Sequence, residues 1–98
     1  MPIVPDPKKA EEHVEVGDFY YHRDNYEAAA NRYREAILYG PKWSEGYEKL
    51  IQVLEKQSAF VEAIDVCEEF ILKNGSSDKV ERFQKLADKL KEKSEKEG

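Results

Sequence analysis

The side chains that could carry chemistry in this chain are few, and they stand apart. His13 and His22 are nine residues apart, about two and a half helical turns. On one helix they would face roughly opposite ways, which makes them poor joint metal ligands. Cys67 is the only cysteine, so the chain cannot close a disulfide on itself or offer a second thiolate to a metal. Its expected role is that of a small buried hydrophobe. The glycines, at 17, 40, 46, 75 and 98, are scattered and form no phosphate-cradling loop. Carboxylates are plentiful, but a general acid–base pair needs an enclosing pocket, and a chain of 98 residues with helical patterning leaves little room for one. Neither catalysis nor a metal or cofactor is expected.

Charge narrows the partners. The formal net charge is -5. Residues 1–77 hold 9 Lys and Arg against 15 Asp and Glu, and residues 78–98 hold 7 against 6. An acidic body with a nearly neutral tail has no basic concentration for phosphate backbones, so nucleic acid is not an expected partner. No stretch approaches the ~20 apolar residues of a membrane span, and no signal-peptide core follows Met1. A soluble chain is expected, with cytoplasm and periplasm both open. The composition is 40% hydrophobic, 11% aromatic and 38% charged, which is too aromatic for a disordered tail and rich in helix formers.

These residues must be positioned by helices. Pro2, Pro5 and Pro7 make residues 1–7 an extended lead-in. Asp6 then Pro7 reads as an N-cap followed by a proline in the first turn. A helix is expected from Lys8 to about His22. A second, capped by Asp24 or Asn25, should run from Tyr26 to Tyr39 and stop at Gly40-Pro41. A third follows Ser44 to about Gln57, and Ser58 is the expected cap of a fourth, Ala59 to Lys73. The fifth starts near Asp78, with Val80, Phe83, Leu86, Ala87 and Leu90 on one stripe. Beyond Leu90 the chain is Lys, Glu and Ser, so its end should fray.

Shifted by 34 residues, the sequence overlays itself. Tyr20 meets Leu54, Tyr26 meets Phe60, Ala29 meets Ala63, Tyr33 meets Cys67 and Ile37 meets Ile71. A helix pair repeating at this period resembles the tetratricopeptide repeat. Val16-Gly17, Tyr20, Ala29, Tyr33, Ala36 and Pro41 carry the resemblance at that family's spacing. Gly17 and Ala29 are small where the paired helices should cross, Tyr20 and Tyr33 fill the space around the crossing, and Pro41 turns the chain into the next repeat. The second copy departs from the pattern. Ile51 stands for the glycine, Cys67 for an aromatic, Phe70 for an alanine and Gly75 for the proline, while His13 stands where the first copy often has tryptophan. Phe70 opposite Ile51 should either push the helices apart or repack against the fifth helix. The run Asp6-Pro7, Val14 to Tyr20, Asn25 to Ala29 and Asn31 to Glu35 is also similar to the helical-repeat lipoproteins of the bacterial outer-membrane protein assembly machine. Those are longer and begin at a lipidated cysteine, which has no counterpart before the first helix here.

The resemblance implies an all-α fold: two repeats, about 10–43 and 44–77, and a capping helix at 78–98, arranged as a five-helix right-handed α-solenoid. It also implies a protein-binding role, as scaffold or adaptor, because the first helix of each pair in such arrays lines a concave surface. The residues implied there are Glu11, Val14, Asp18, Tyr21 and His22 from the first copy, and Glu45, Glu48, Gln52, Glu55 and Lys56 from the second. Val14, Asp18, Glu48 and Gln52 occupy slots where the carboxylate-gripping members of the family carry Lys and Asn. An acidic tail is therefore disfavoured, and a basic or amphipathic segment is the expected partner of an acidic groove. Lys79, Arg82, Lys85 and Lys89 are expected on the outer face of the fifth helix. Two repeats are few for a continuous core, so Val61 and Val66 are candidates for an apolar contact in a homodimer, or for packing under the fifth helix. A self-assembling structural domain is the competing reading. Trp43, in the turn between repeats, reads as a core plug rather than a binding anchor.

Overall fold

The computed structural model describes residues 2–97; Met1 of the lead-in and Gly98 of the tail lie outside them. Five helices follow in chain order: α1 (Pro7–Tyr21), α2 (Tyr26–Tyr39), α3 (Ser44–Lys56), α4 (Phe60–Lys73) and α5 (Val80–Glu97). Among the described residues there is no strand. Each helix packs on its neighbours in sequence, and α1 also approaches α3. Neither α2 and α4 nor α3 and α5 come within 8 Å between Cα atoms.

Local chemistry sets the helix ends. Asp6 is extended, and its carboxylate accepts from the Lys9 amide at 3.2 Å, with Pro7 in the first turn. Asn25, not Asp24, caps α2 by accepting from the Ala28 amide at 3.3 Å. Asp24 instead takes a left-handed conformation (φ 59°), and Ser58, 34 residues on, repeats it (φ 56°). Ser58 is therefore the turn residue and not the cap of α4. That position falls to Ala59, whose side chain cannot bond the free amides. Likewise Trp43 precedes α3 without a side-chain cap, and Ser44 is buried as the first helical residue. The last helix, α5, is helical through Glu97. Lys and Glu are good helix formers, and Lys93 reaches Glu55 of α3 at 2.8 Å.

The core is one cluster threaded through all five helices. At the α1–α2 crossing, a methyl built on Gly17 would stand 2.7 Å from Tyr33 Cδ1, closer than real contacts allow. The small residue is thus what lets the Tyr33 ring lie across α1. Ala10, Ala29 and Ala36 are fully buried beside it. In the second half Phe70 turns to α5. Its ring stacks on Phe83 with centroids 4.0 Å apart, and Tyr47 meets it edge-on at 5.1 Å. The Pro41 carbonyl ties the two halves together, accepting from Tyr47 Oη at 2.8 Å and from the amide of buried Asn74 at 3.0 Å.

The α5 register differs from the simple 34-residue shift. Tyr47, Ile51 and Leu54 of α3 correspond by burial to Phe83, Ala87 and Leu90 of α5, 36 residues on. The connection Asn74–Lys79 has two residues more than Gly40–Trp43, which accounts for the change.

Candidate functional site

The space left between α3 and α5 is a groove of about 420 Å³. Leu86 is the accessible apolar side chain of its floor, over the buried Ile51 and Phe83; Glu48, Gln52 and Glu55 form one wall, and Arg82, Lys85 and Lys89 the other. Each wall is a helical stripe spaced by three or four residues. Two ion pairs cross the gap: Arg82 donates to Glu48, and Lys93 donates to Glu55 at 2.8 Å. Lys79 adds a hydrogen bond to the Ser44 hydroxyl at 3.1 Å.

The basic stripe of α5 therefore faces inward. Lys79 and Arg82, expected on the outer face, reach across to α3, and Lys85 and Lys89 line the gap. This corrects the expectation of an acidic groove. Two carboxylates face three cations, and opposite charges in adjacent walls attract across the space.

The expected site residues do not form one surface. Glu48, Gln52 and Glu55 gather in the α3–α5 groove. Asp18 lies between α1 and α3, accepting from Tyr33 Oη at 2.5 Å and pairing with Lys49 at 3.3 Å. Tyr21 is half-buried at the other end of α1, its ring 5.6 Å from that of Tyr26, and His22 beside it is exposed. Val14 is no surface spot: it is 5% exposed and belongs to the core. Glu11 is exposed at the rim of a different cleft.

That second cleft, about 520 Å³, was not legible in the sequence. Pro5, Pro7 and Ala10 line one side, and Tyr39, Pro41 and Trp43 the other. The Asp6 amide donates to the Tyr39 carbonyl at 2.8 Å and so pins the lead-in alongside. Trp43 is half-buried, packing on the core with one side and lining this cleft with the other. The three prolines and two aromatics lie at helix ends, and only the fold brings those ends together.

His13 and Cys67 are both engaged within the fold. His13 stacks on Tyr39, with centroids 5.5 Å apart, and its Nδ1 lies 3.3 Å from Glu35. Cys67 is fully buried, and burial, helped by the charges of Glu55 and Glu68, pushes its thiol up to about 12. A thiolate, the reactive form, is then scarce at neutral pH. Burial, then the hydrogen bond to Asp18, raises the Tyr33 hydroxyl well above its ordinary value.

Val61 and Val66 also part company. Val61 is 65% exposed, whereas Val66 leans on the core and lines a shallow depression with Ile37, Leu38 and Leu50. They do not form one contact face, and Val66 packs toward α2 and α3 rather than under α5. Among the described residues, no helix is long and apolar enough to cross a membrane. Comparison with protein-family models, curated proteins and solved structures finds no match to this chain.

Proposed function

We propose that this chain is a short tetratricopeptide-type solenoid that holds an amphipathic helix of a partner protein in the α3–α5 groove, as a non-catalytic scaffold or adaptor. The observation that carries the reading is the groove itself: an apolar floor between an acidic and a basic wall. The solenoid reading draws on the 34-residue self-similarity and on the packing pattern. Where α1 approaches α3 but α2 stays clear of α4, an array bends with α1 and α3 inside, which is how stacked helix pairs make a concave face.

The charge of the walls selects the ligand. A purely basic segment would be drawn to Glu48 and Glu55 but repelled by Arg82, Lys85 and Lys89. An amphipathic helix with acids along one flank and bases along the other satisfies both walls and lays its apolar stripe on Leu86 and the floor. The two ion pairs crossing the gap do not bar entry. Their side chains are between 28% and 57% exposed, and such pairs hold by only about 0–1 kcal/mol. A ligand can replace them with its own charges.

Fluorescence anisotropy with labelled helical peptides tests this, using one with two-signed flanks and one whose polar face is all basic. The two-signed peptide should bind the wild-type chain more tightly. Gln52→Trp, which fills the groove from an exposed position, should weaken that binding by about tenfold, or about 1.4 kcal/mol. Equal affinity of the wild type and the variant would remove the groove as the binding site.

A further inference from the structure

The outward face of α1, away from every groove described above, carries a short stripe of unusual make-up. Glu12, Val16 and Phe19 follow one another at spacings of four and three residues, which places them along one side of the helix, and Arg23, in the turn just past its end, folds back over Phe19. All four are exposed, Val16 at 37% and Phe19 at 51%. The elements packed against α1 are α2 and α3, and neither supplies a partner that buries this stripe.

Two features separate the stripe from an ordinary solvated face. The apolar pair sits at its centre, with a carboxylate at one end and a guanidinium at the other. Neither Glu12 nor Arg23 is in an ion pair among the described residues, although Asp18, Arg34, Glu48 and Glu55 all are. Arg23 instead lies over the Phe19 ring, 3.6 Å from its centroid, and donates to the Phe19 carbonyl at 3.1 Å. Its charge thus covers an apolar ring and meets no opposite charge.

The sequence of the stripe is complementary to itself when reversed. Laid antiparallel about a two-fold axis midway between Val16 and Phe19, Val16 of each copy meets Phe19 of the other. Glu12 of each copy then faces Arg23 of the other, which reaches back from the turn after α1. A two-fold interface requires one patch to complement itself in this way. We propose that this face is a homodimer contact, α1 against α1 in antiparallel orientation, closed at each end by a Glu12–Arg23 ion pair between chains. The contact is small, so the dimer is weak and reversible. It leaves the α3–α5 groove of both copies open, and its test is independent of ligand binding.

Sedimentation equilibrium reads the outcome. The wild-type mass should rise from 11.4 kDa toward twice that value as concentration climbs from about 10 µM to about 1 mM, the range of a small interface. Phe19→Lys, an exposed position, should abolish the rise, with circular dichroism confirming that the fold is kept. Glu12→Arg and Arg23→Glu should each remain monomeric alone, yet associate when mixed, because each supplies the charge the other lacks. A wild-type chain that stays at one mass throughout overturns the proposal. So does Phe19→Lys dimerising like the wild type, or a mixture of the two charge variants that remains monomeric.

Discussion

The rings of Phe70 and Phe83 lie 4.0 Å apart and within 22° of parallel, both almost wholly buried. This one contact joins the last residues of the second helix pair to α5. Phe70 stands 34 residues after the buried Ala36, and its added bulk is matched to α5. Phe70→Ala should cost about 3–5 kcal/mol, a large part of the stability of a domain this size. Urea unfolding followed by circular dichroism measures it. Because the two rings touch, Phe70→Ala and Phe83→Ala should be non-additive when combined, by about 0.5–3 kcal/mol.

Gly17→Ala tests the other crossing. The added methyl would press on the face of Tyr33, whose hydroxyl is held by Asp18 and whose ring is 1% exposed. Neither the ring nor α1 can yield freely. Overpacking should destabilise by about 1–3 kcal/mol, despite the gain of about 0.5–1 kcal/mol in helix propensity. An unchanged thermal midpoint would show that the ring has room to move.

How much of this could be read from residues alone follows from the range of the forces involved. Helix ends were legible at Asp6-Pro7, Asn25 and Gly40-Pro41, although Gly40 ends α2 at φ -125° and not in the left-handed conformation that a C-cap glycine suits. The core stripe of α5 was legible too, since Phe83, Ala87 and Leu90 recur at helical spacing. Ser58 was misread because a serine before a helix suits both a cap and a left-handed turn, and the turn won at the position matching Asp24. The inward turn of Arg82, Lys85 and Lys89 was not legible at all. Charge spacing marks a face of a helix, but the neighbour that face meets depends on the length of the Asn74–Lys79 connection. Val14 fell to the same difficulty, since a residue at the edge of a stripe is buried or open according to how closely α3 approaches.

The Ser58 conformation makes its own prediction. A left-handed backbone costs a non-glycine residue about 1–2 kcal/mol, and the Ser58 side chain forms no hydrogen bond that offsets it among the described residues. Ser58→Gly removes that strain but adds freedom to the unfolded chain. The net effect should be stabilising by about 0.5 kcal/mol, seen as a higher urea midpoint. The matching change Asp24→Gly should gain less, because Asp24 accepts from Tyr26 Oη at 3.1 Å.

Alkaline solution should loosen the fold. Burial, with a lesser contribution from Glu69, raises the Tyr47 hydroxyl from 10.0 to about 12, and burial raises the Cys67 thiol from 9.0 to about 12. Tyr33 is shifted in the same direction. In each case the folded chain keeps its proton at a pH where the unfolded chain has lost it. The stability these groups confer is full below the unfolded values of 9.0 and 10.0 and is lost as pH rises through them toward about 12. Urea midpoints measured at about pH 8, 10 and 11.5 should fall steadily across that window. Tyr33→Phe removes one titrating group together with its bond to Asp18. It should lower the midpoint at pH 8 by about 0.5–1.5 kcal/mol of stability and flatten the alkaline fall. A fall of unchanged steepness in Tyr33→Phe would place the alkaline sensitivity elsewhere, in Tyr47 or Cys67.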